Sequence, residues 1–329
     1  MIPGMFTDLP DLAAERLGGA VIAANDEFFA PKEGLIKAGP PEWREGLYTE
    51  RGKWMDGWET RRRRTPGHDW AIIRLGVPGI VRGVVIDTSF YTGNFPERAS
   101  IDGVAMEGVA SAELMAGPGV PWKPLLPKSE LKGNATNPFA VTQKGRRITH
   151  LRLNIFPDGG VARLRVHGEA VPDGRAFEAG RDVDLAAMKN GGVVVSASDM
   201  HYGRPQNLIQ PGRSTHMGDG WETKRRRGPG HDWTIVKLAR RGIIDRVELD
   251  TDHYKGNAPG KCMLEYADAT DSFDAATARW RVLVPKAPLQ PHERHRWDDI
   301  VAGPATHVRL SIYPDGGVAR LRLFGRVEA

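Results

Sequence analysis

At 329 residues and 36.2 kDa, with 40% hydrophobic and 26% charged residues, the chain excludes a marginal mini-protein and a largely disordered protein, and it has room for two domains. A formal net charge of +5 and a sequence pI near 9.3 suit an anionic partner without choosing between a small anion and a polyanion. Apolar runs such as Ala20 to Ala24 fall far short of the ~20 residues of a membrane-spanning helix, and the lone Cys262 with the acidic opening (Asp8, Asp11, Glu15) predicts a disulfide-free, cytoplasmic protein.

In chain order, Asp11 suits the capping of free amides and predicts a short helix after it. The stretch around Pro40-Pro41-Glu42-Trp43 reads as a loop. Asp56 to Trp70 (DGWETRRRRTPGHDW) is a polar connection, followed by strand-like runs Ala71 to Leu75 and Val84 to Ile86 and by a Tyr-x-Gly-Asn turn ending at Asn94. Leu151 to Ile155 and Ala162 to Val166 carry apolar residues at every second position, the period of a half-buried strand. Pro157-Asp158-Gly159-Gly160 between them predicts a hairpin turn.

The chain then runs through the same order again. Asp56 to Pro96 aligns without a gap on Asp219 to Pro259, with more than half of the positions identical, and Thr149 to Gly168 matches Thr306 to Gly325. The openings match too, Asp11-Leu-Ala-Ala on Asp184-Leu-Ala-Ala, which predicts a second short helix. The join lies near Pro172-Asp173-Gly174, giving two homologous domains, 1–172 and 173–329. Repeat one carries an insertion between Ile36 and Asp56 that repeat two lacks. Short strands punctuated by 39 Gly and 24 Pro make the fold all-β, an antiparallel sandwich or jelly roll in each domain.

Several residue groups could carry chemistry. Glu59, His68 and Asp69, repeated as Glu222, His231 and Asp232, put carboxylates and imidazoles beside an arginine run, a mixture that can anchor an anion and move protons. The bland reading is a hydrogen-bonded loop between sheets. Arg163 with Arg165, and Arg320 with Arg322, lie two apart on a strand and could grip a carboxylate, or could be salt-bridged surface arginines. Asn94 and Asn257 could bind an amide-like ligand or serve their turns. Repeat two holds more titratable groups, Asp199, His201, Asp252 and His253, which tilts the working site towards that half and leaves a divalent metal open. No HExxH, paired CxxC, Walker loop or GxSxG elbow occurs. The aromatics do not alternate with the basic residues, which argues against nucleic acid.

GWET-(R/K)-RRR-x-PGHDW, the Tyr-x-Gly-Asn turn and (F/Y)-PDGGVARLR, each present twice, closely resemble the allantoicase (allantoate amidinohydrolase) family from about Leu17 to Gly325. The resemblance implies two tandem jelly-roll, galactose-binding-like β-sandwich domains. It also implies a homo-oligomer, in some members a hexamer, and a hydrolase of linear amidines that converts allantoate to ureidoglycolate and urea in purine breakdown. No cofactor is the first expectation. On this chemistry Arg163 and Arg165, or Arg320 and Arg322, would hold the carboxylate, and Glu59, Glu222, Asn94 and Asn257 would take the ureido groups. His68 with Asp69, or His231 with Asp232, would supply acid and base. The alternative is a non-catalytic tandem sandwich that binds carbohydrate or a small anion.

Overall fold

The computed structural model describes residues 6–108, 110–142, 145–178, 181–270 and 272–328. The chain divides into two compact units, one running to Val171 and the other starting at Pro172. Each is an antiparallel β-sandwich organised by one long strand.

In the first unit that strand is Asp69–Asp87. Its first part pairs with Ala20–Ala24 on one side and with Arg147–Phe156 on the other, and the sheet continues through Arg98–Val104 to Lys123–Glu130. The pairing register shifts between Arg74 and Gly79, and the strand then exchanges partners for Arg163–Ala170 and Thr136–Ala140. One strand thus serves both layers, and the two predicted segments Ala71 to Leu75 and Val84 to Ile86 are parts of it. The side chains it turns inward, Ile73, Leu75, Val84 and Ile86, meet Leu151, Leu153, Ile155, Leu164, Val166 and Trp58 in a single core. Burying each such side chain is worth roughly 1.5–3 kcal/mol. Asp232–Asp250 does the same in the second unit, pairing first with Val193–Ala197 and Pro304–Tyr313 and then with Arg320–Val327 and Arg294–Trp297.

Two local expectations are corrected. The strands flanking Pro157-Asp158-Gly159-Gly160 do not form a hairpin, because Arg147–Phe156 and Arg163–Ala170 each pair with a different part of the long strand. Pro314 to Gly317 makes the same crossing in repeat two. The openers after Asp11 and Asp184 are not α-helices but single 3-10 turns, Glu15–Leu17 and Met188–Asn190. The Asp11 and Asp184 carboxylates are spent on Val166 N–H and Leu323 N–H as well as on their own turns, tying each opening to a strand. A short α-helix that the pattern did not announce, Ala112–Ala116, is capped by Ser111, whose hydroxyl accepts from Leu114 N–H. No helix among the described residues is long and apolar enough to cross a membrane. Cys262 is fully buried, and burial pushes its thiol up to about 12, so it packs as a small hydrophobe.

Candidate active site

The crossing segment builds the site. Gly159, at φ 140°, has room for no side chain, since a Cβ there would stand 2.7 Å from Asn94 O and Pro96 N. Gly160 passes so close to the Tyr91 ring that a Cβ would lie 1.9 Å from it. This approach lets Gly160 N–H donate to Asn94 O at 2.8 Å, while Thr60 N–H donates to Gly159 O and Gly159 N–H to the Thr60 hydroxyl. Gly160 and Val161 also pair with Glu59 and Trp58. The glycine pair therefore fixes the Tyr-x-Gly-Asn turn against the strand carrying Glu59, and Asn94 Nδ2 donates to Glu59 Oε1 at 2.7 Å.

Glu59 and Asn94 lie where two clefts meet. One, of about 460 Å³, is lined by Phe29, Trp43, Lys53, Met55 and Phe90 with Thr92 and Asn134. The other is lined by Arg62, Arg63, Arg64, Glu97 and the crossing segment Pro157 to Gly159. A mostly apolar recess with a few convergent polar groups is the usual form of a small-molecule site. Burial pushes the Glu59 carboxyl above the ordinary glutamate range, and the single hydrogen bond from Asn94 does not offset it. The acid is therefore held towards its neutral form beside an open cleft.

The insertion of repeat one forms the wall of the first cleft, and a buried anchor holds it. Asp56 accepts from Arg163 at 2.5 Å, from Lys37 at 2.7 Å and from Glu42 N–H at 3.0 Å. Burial opposes the charge on Asp56, but these donors outweigh it and bring the carboxyl down to about 2. Trp43 then lies 5.7 Å from the Phe90 ring, with the Lys53 ammonium 4.1 Å from the Trp43 ring centre.

The structure gives several of the expected site residues other work. All five N–H donors of Arg163 are taken, by Gly39 O, Asp56 O, Ala162 O, Pro40 O and the Asp56 carboxylate, so none is left to grip a substrate. Arg320 is spent likewise on Gly212 O, Asp219 O, Ala319 O, Arg213 O and the Asp219 carboxylate. Arg165 and Arg322 share the face of their neighbours, as alternation requires, and hold the same loops, Arg165 through Ala38 O and Gly39 O and Arg322 through Leu208 O, Gln210 O and Gly212 O. Asp69 is buried under Arg63 at 2.7 Å and Asn25 at 2.8 Å, and Asp232 likewise under Arg226 and Ser198. His68 packs tilted against Phe156 and His231 against Tyr313, and neither lines these clefts. Burial followed by the charges of Arg309, Arg226 and Lys286 holds His231 below the usual imidazole range.

Repeat two keeps the pair but covers it differently. Asn257 Nδ2 donates to Glu222 Oε1 at 2.7 Å, and the Met217 sulfur lies 3.9 Å from the same amide nitrogen. Tyr254 Oη donates to Met217 O at 2.6 Å, fixing that segment over the pair. In repeat one the aligned Trp54 packs instead on the Arg44 guanidinium, and the Tyr91 hydroxyl is buried with no hydrogen-bond partner among the described residues. This contrast predicts opposite stability effects. Tyr91→Phe should be neutral or raise stability, whereas Tyr254→Phe should cost ~1 kcal/mol or more by leaving Met217 O without its donor. Thermal midpoints of the two variants, compared with the parent, check this.

The extra titratable groups of repeat two hold backbone. Asp199 accepts from His201 N–H and Lys224 N–H. His292 Nδ1 accepts from His253 N–H, as Asn134 Oδ1 accepts from Phe90 N–H in repeat one, and Asp252 pairs with Arg213. Among the described residues no group of three or more His, Cys, Asp or Glu is arranged to hold a metal ion. Repeat two has a cleft of its own, of about 200 Å³, where Arg320 and Arg322 lie with Arg213 and Arg294, against about 460 Å³ for the one beside Glu59. Arg62 and Arg64 belong to the arginine run read beside Glu59, whereas Lys53, Phe90 and Asn134 were not among the candidate site residues; the only signal for the Lys53 side was the insertion itself, with a tryptophan inside it.

A family model described as the allantoicase repeat matches residues 10–171 and again 183–328. A probable allantoicase of Pseudomonas paraeruginosa is 49% identical over 329 residues, covering 98% of this chain and 97% of that protein. One from Nocardia farcinica is 49% identical over 327 residues, covering 99% and 96%. The crystal structure of allantoicase from Saccharomyces cerevisiae superposes with a TM-score of 0.78 at 35% identity, covering 96% of this chain and 92% of that one.

Proposed function

The chain belongs to the allantoicase family, and from that premise we propose that it hydrolyses allantoate to ureidoglycolate and urea in the cleft of repeat one, with Glu59 as the proton carrier. The carrying observation is the Glu59 carboxyl, raised by burial and held by Asn94 where the two clefts meet.

Allantoate carries a carboxylate and two ureido groups on one carbon, and losing urea breaks one of its C–N bonds. Asn94 occupies Glu59 Oε1, which leaves Oε2 to carry the proton of the neutral acid. That proton passes to the departing ureido nitrogen as the C–N bond breaks, and the lone pair of the remaining ureido nitrogen stabilises the cationic carbon. The Glu59 carboxylate so formed then takes a proton from the water that adds to this carbon, which returns the acid and completes ureidoglycolate. One water is consumed and one urea is released. Positioned acid–base help of this kind contributes roughly 10²–10⁴ in rate. Arg62 and Arg64, in the cleft beside Glu59, donate to the ureido carbonyl oxygens and draw charge from the leaving group.

This reading uses the chain's own side chains and no metal, and it includes a homo-oligomer working in the cytoplasm on a free ureide, without nucleic acid. The test is urea and ureidoglycolate formation by the purified protein, with and without chelator. Equal amounts of the two products at a rate the chelator leaves unchanged are expected. Activity lost to chelator and restored by one divalent ion would replace the metal-free chemistry, and no turnover under either condition would bring forward the binding-module alternative.

A further inference from the structure

The geometry points to Lys53, at the end of the insertion found only in repeat one, as the group that binds the substrate's carboxylate and thereby selects acidic ureides over neutral ones. The inference rests on the placement of the site at Glu59.

Its basis is the supply of cations around the cleft. Arg163 has no donor left, and Arg165 is turned onto the Ala38 and Gly39 carbonyls. Lys37 is bound to Asp56, Arg44 to Glu42, Arg61 to Asp26 and Arg63 to Asp69. Lys53 has no carboxylate partner among the described residues, and its ammonium lies 4.1 Å from the centre of the Trp43 ring. It is also the one cation that lines the 460 Å³ cleft, where Glu59 is the one acid. Burial disfavours the charge on Glu59, the one acid that shares the recess with the ammonium. A bound carboxylate would supply the missing charge. Trp43 keeps the flexible lysine stem in place, which lowers the entropy lost on binding. Repeat two has no counterpart of the insertion, carries His216 at the position of Lys53, and has Met217 beside the asparagine of its Glu222–Asn257 pair.

Lys53→Met, which keeps the stem and removes the charge, is expected to raise KM for allantoate about 10- to 100-fold, the range of one charged hydrogen bond, with kcat within a few-fold of the parent. Lys53→Arg should restore KM to within a few-fold. Methylenediurea, which has both ureido groups and no carboxylate, should inhibit the parent and Lys53→Met with the same Ki. An unchanged KM in Lys53→Met, or a Ki that rises as much as KM, would overturn the assignment. Glu59→Gln in the same assay separates the two levels. If it turns over normally the site itself is misplaced, whereas an inactive Glu59→Gln beside an unaffected Lys53→Met removes only the role of Lys53.

Discussion

Glu59→Gln is expected to lower allantoate turnover by roughly 10²–10⁴-fold, while Glu222→Gln leaves it within a few-fold of the parent. The two residues are aligned and each accepts 2.7 Å from its asparagine, so sequence logic alone would treat them alike. Their surroundings differ. Glu59 is buried at an open cleft walled by the insertion and its carboxyl is raised, whereas Glu222 is only half-buried, in a repeat that lacks the insertion and with Met217 beside its asparagine. The pH profile carries the same signature: kcat should fall as pH rises through the elevated Glu59 value, because the acid form delivers the proton, and Glu59→Gln should abolish that limb. The contribution of Glu59 to stability runs in the same direction with pH. A carboxyl whose folded value lies above its unfolded one favours folding in its protonated form, and that advantage is lost as pH rises through the folded value. Glu59→Gln should therefore leave the protein as stable as the parent, or more so, at neutral pH, the usual exchange of stability for a working acid. Steady-state rates and thermal midpoints across pH measure both.

Arg163→Ala is expected to cost ~3–5 kcal/mol in the first unit, because it strands the buried Asp56 carboxylate. It also releases the carbonyls of Gly39 and Pro40, so the wall bearing Trp43 and Lys53 loses its anchor and turnover falls with stability. Lysine does not rescue it, since three donors on a point charge cannot replace a planar fork of five. Arg320→Ala breaks the equivalent buried pair with Asp219 and should destabilise the second unit similarly, yet folded molecules should keep their turnover. Since the donors pull Asp56 down to about 2 from the ordinary 3.8, its contribution is complete above the higher value and disappears as pH falls towards the lower one. The penalty of Arg163→Ala should shrink over the same window. Denaturant unfolding at neutral and acid pH checks the size and the trend.

Much of the fold was legible because alternation and duplication are local signals. Leu151 to Ile155 and Leu164 with Val166 read as half-buried strands, and they are. What the pattern could not carry was which strands pair. Pro157 to Gly160 has the chemistry of a hairpin turn, but the glycines are there to approach Tyr91 and the Asn94 turn closely, and the chain crosses to the other part of the long strand. The site was legible in half. Glu59 and Asn94 stood out as a polar group and a repeated turn, and they hydrogen-bond to each other. Arg163 stood out for its charge, but burial turned that charge inward, and no periodicity reports whether a guanidinium's donors are already used. Trp43 sits on an irregular loop and Lys53 on a two-residue strand paired with Tyr48–Thr49, both too short to give a periodic signal, and their position depends on the distant anchor at Asp56.

The most direct test of one working cleft per chain is a calorimetric titration of Glu59→Gln with allantoate, since this variant should bind the substrate without consuming it. One molecule bound per chain, with no continuing heat of hydrolysis, is the predicted result. Two equivalent sites per chain would return the second repeat to the chemistry, and sustained heat from urea release would remove Glu59 from it.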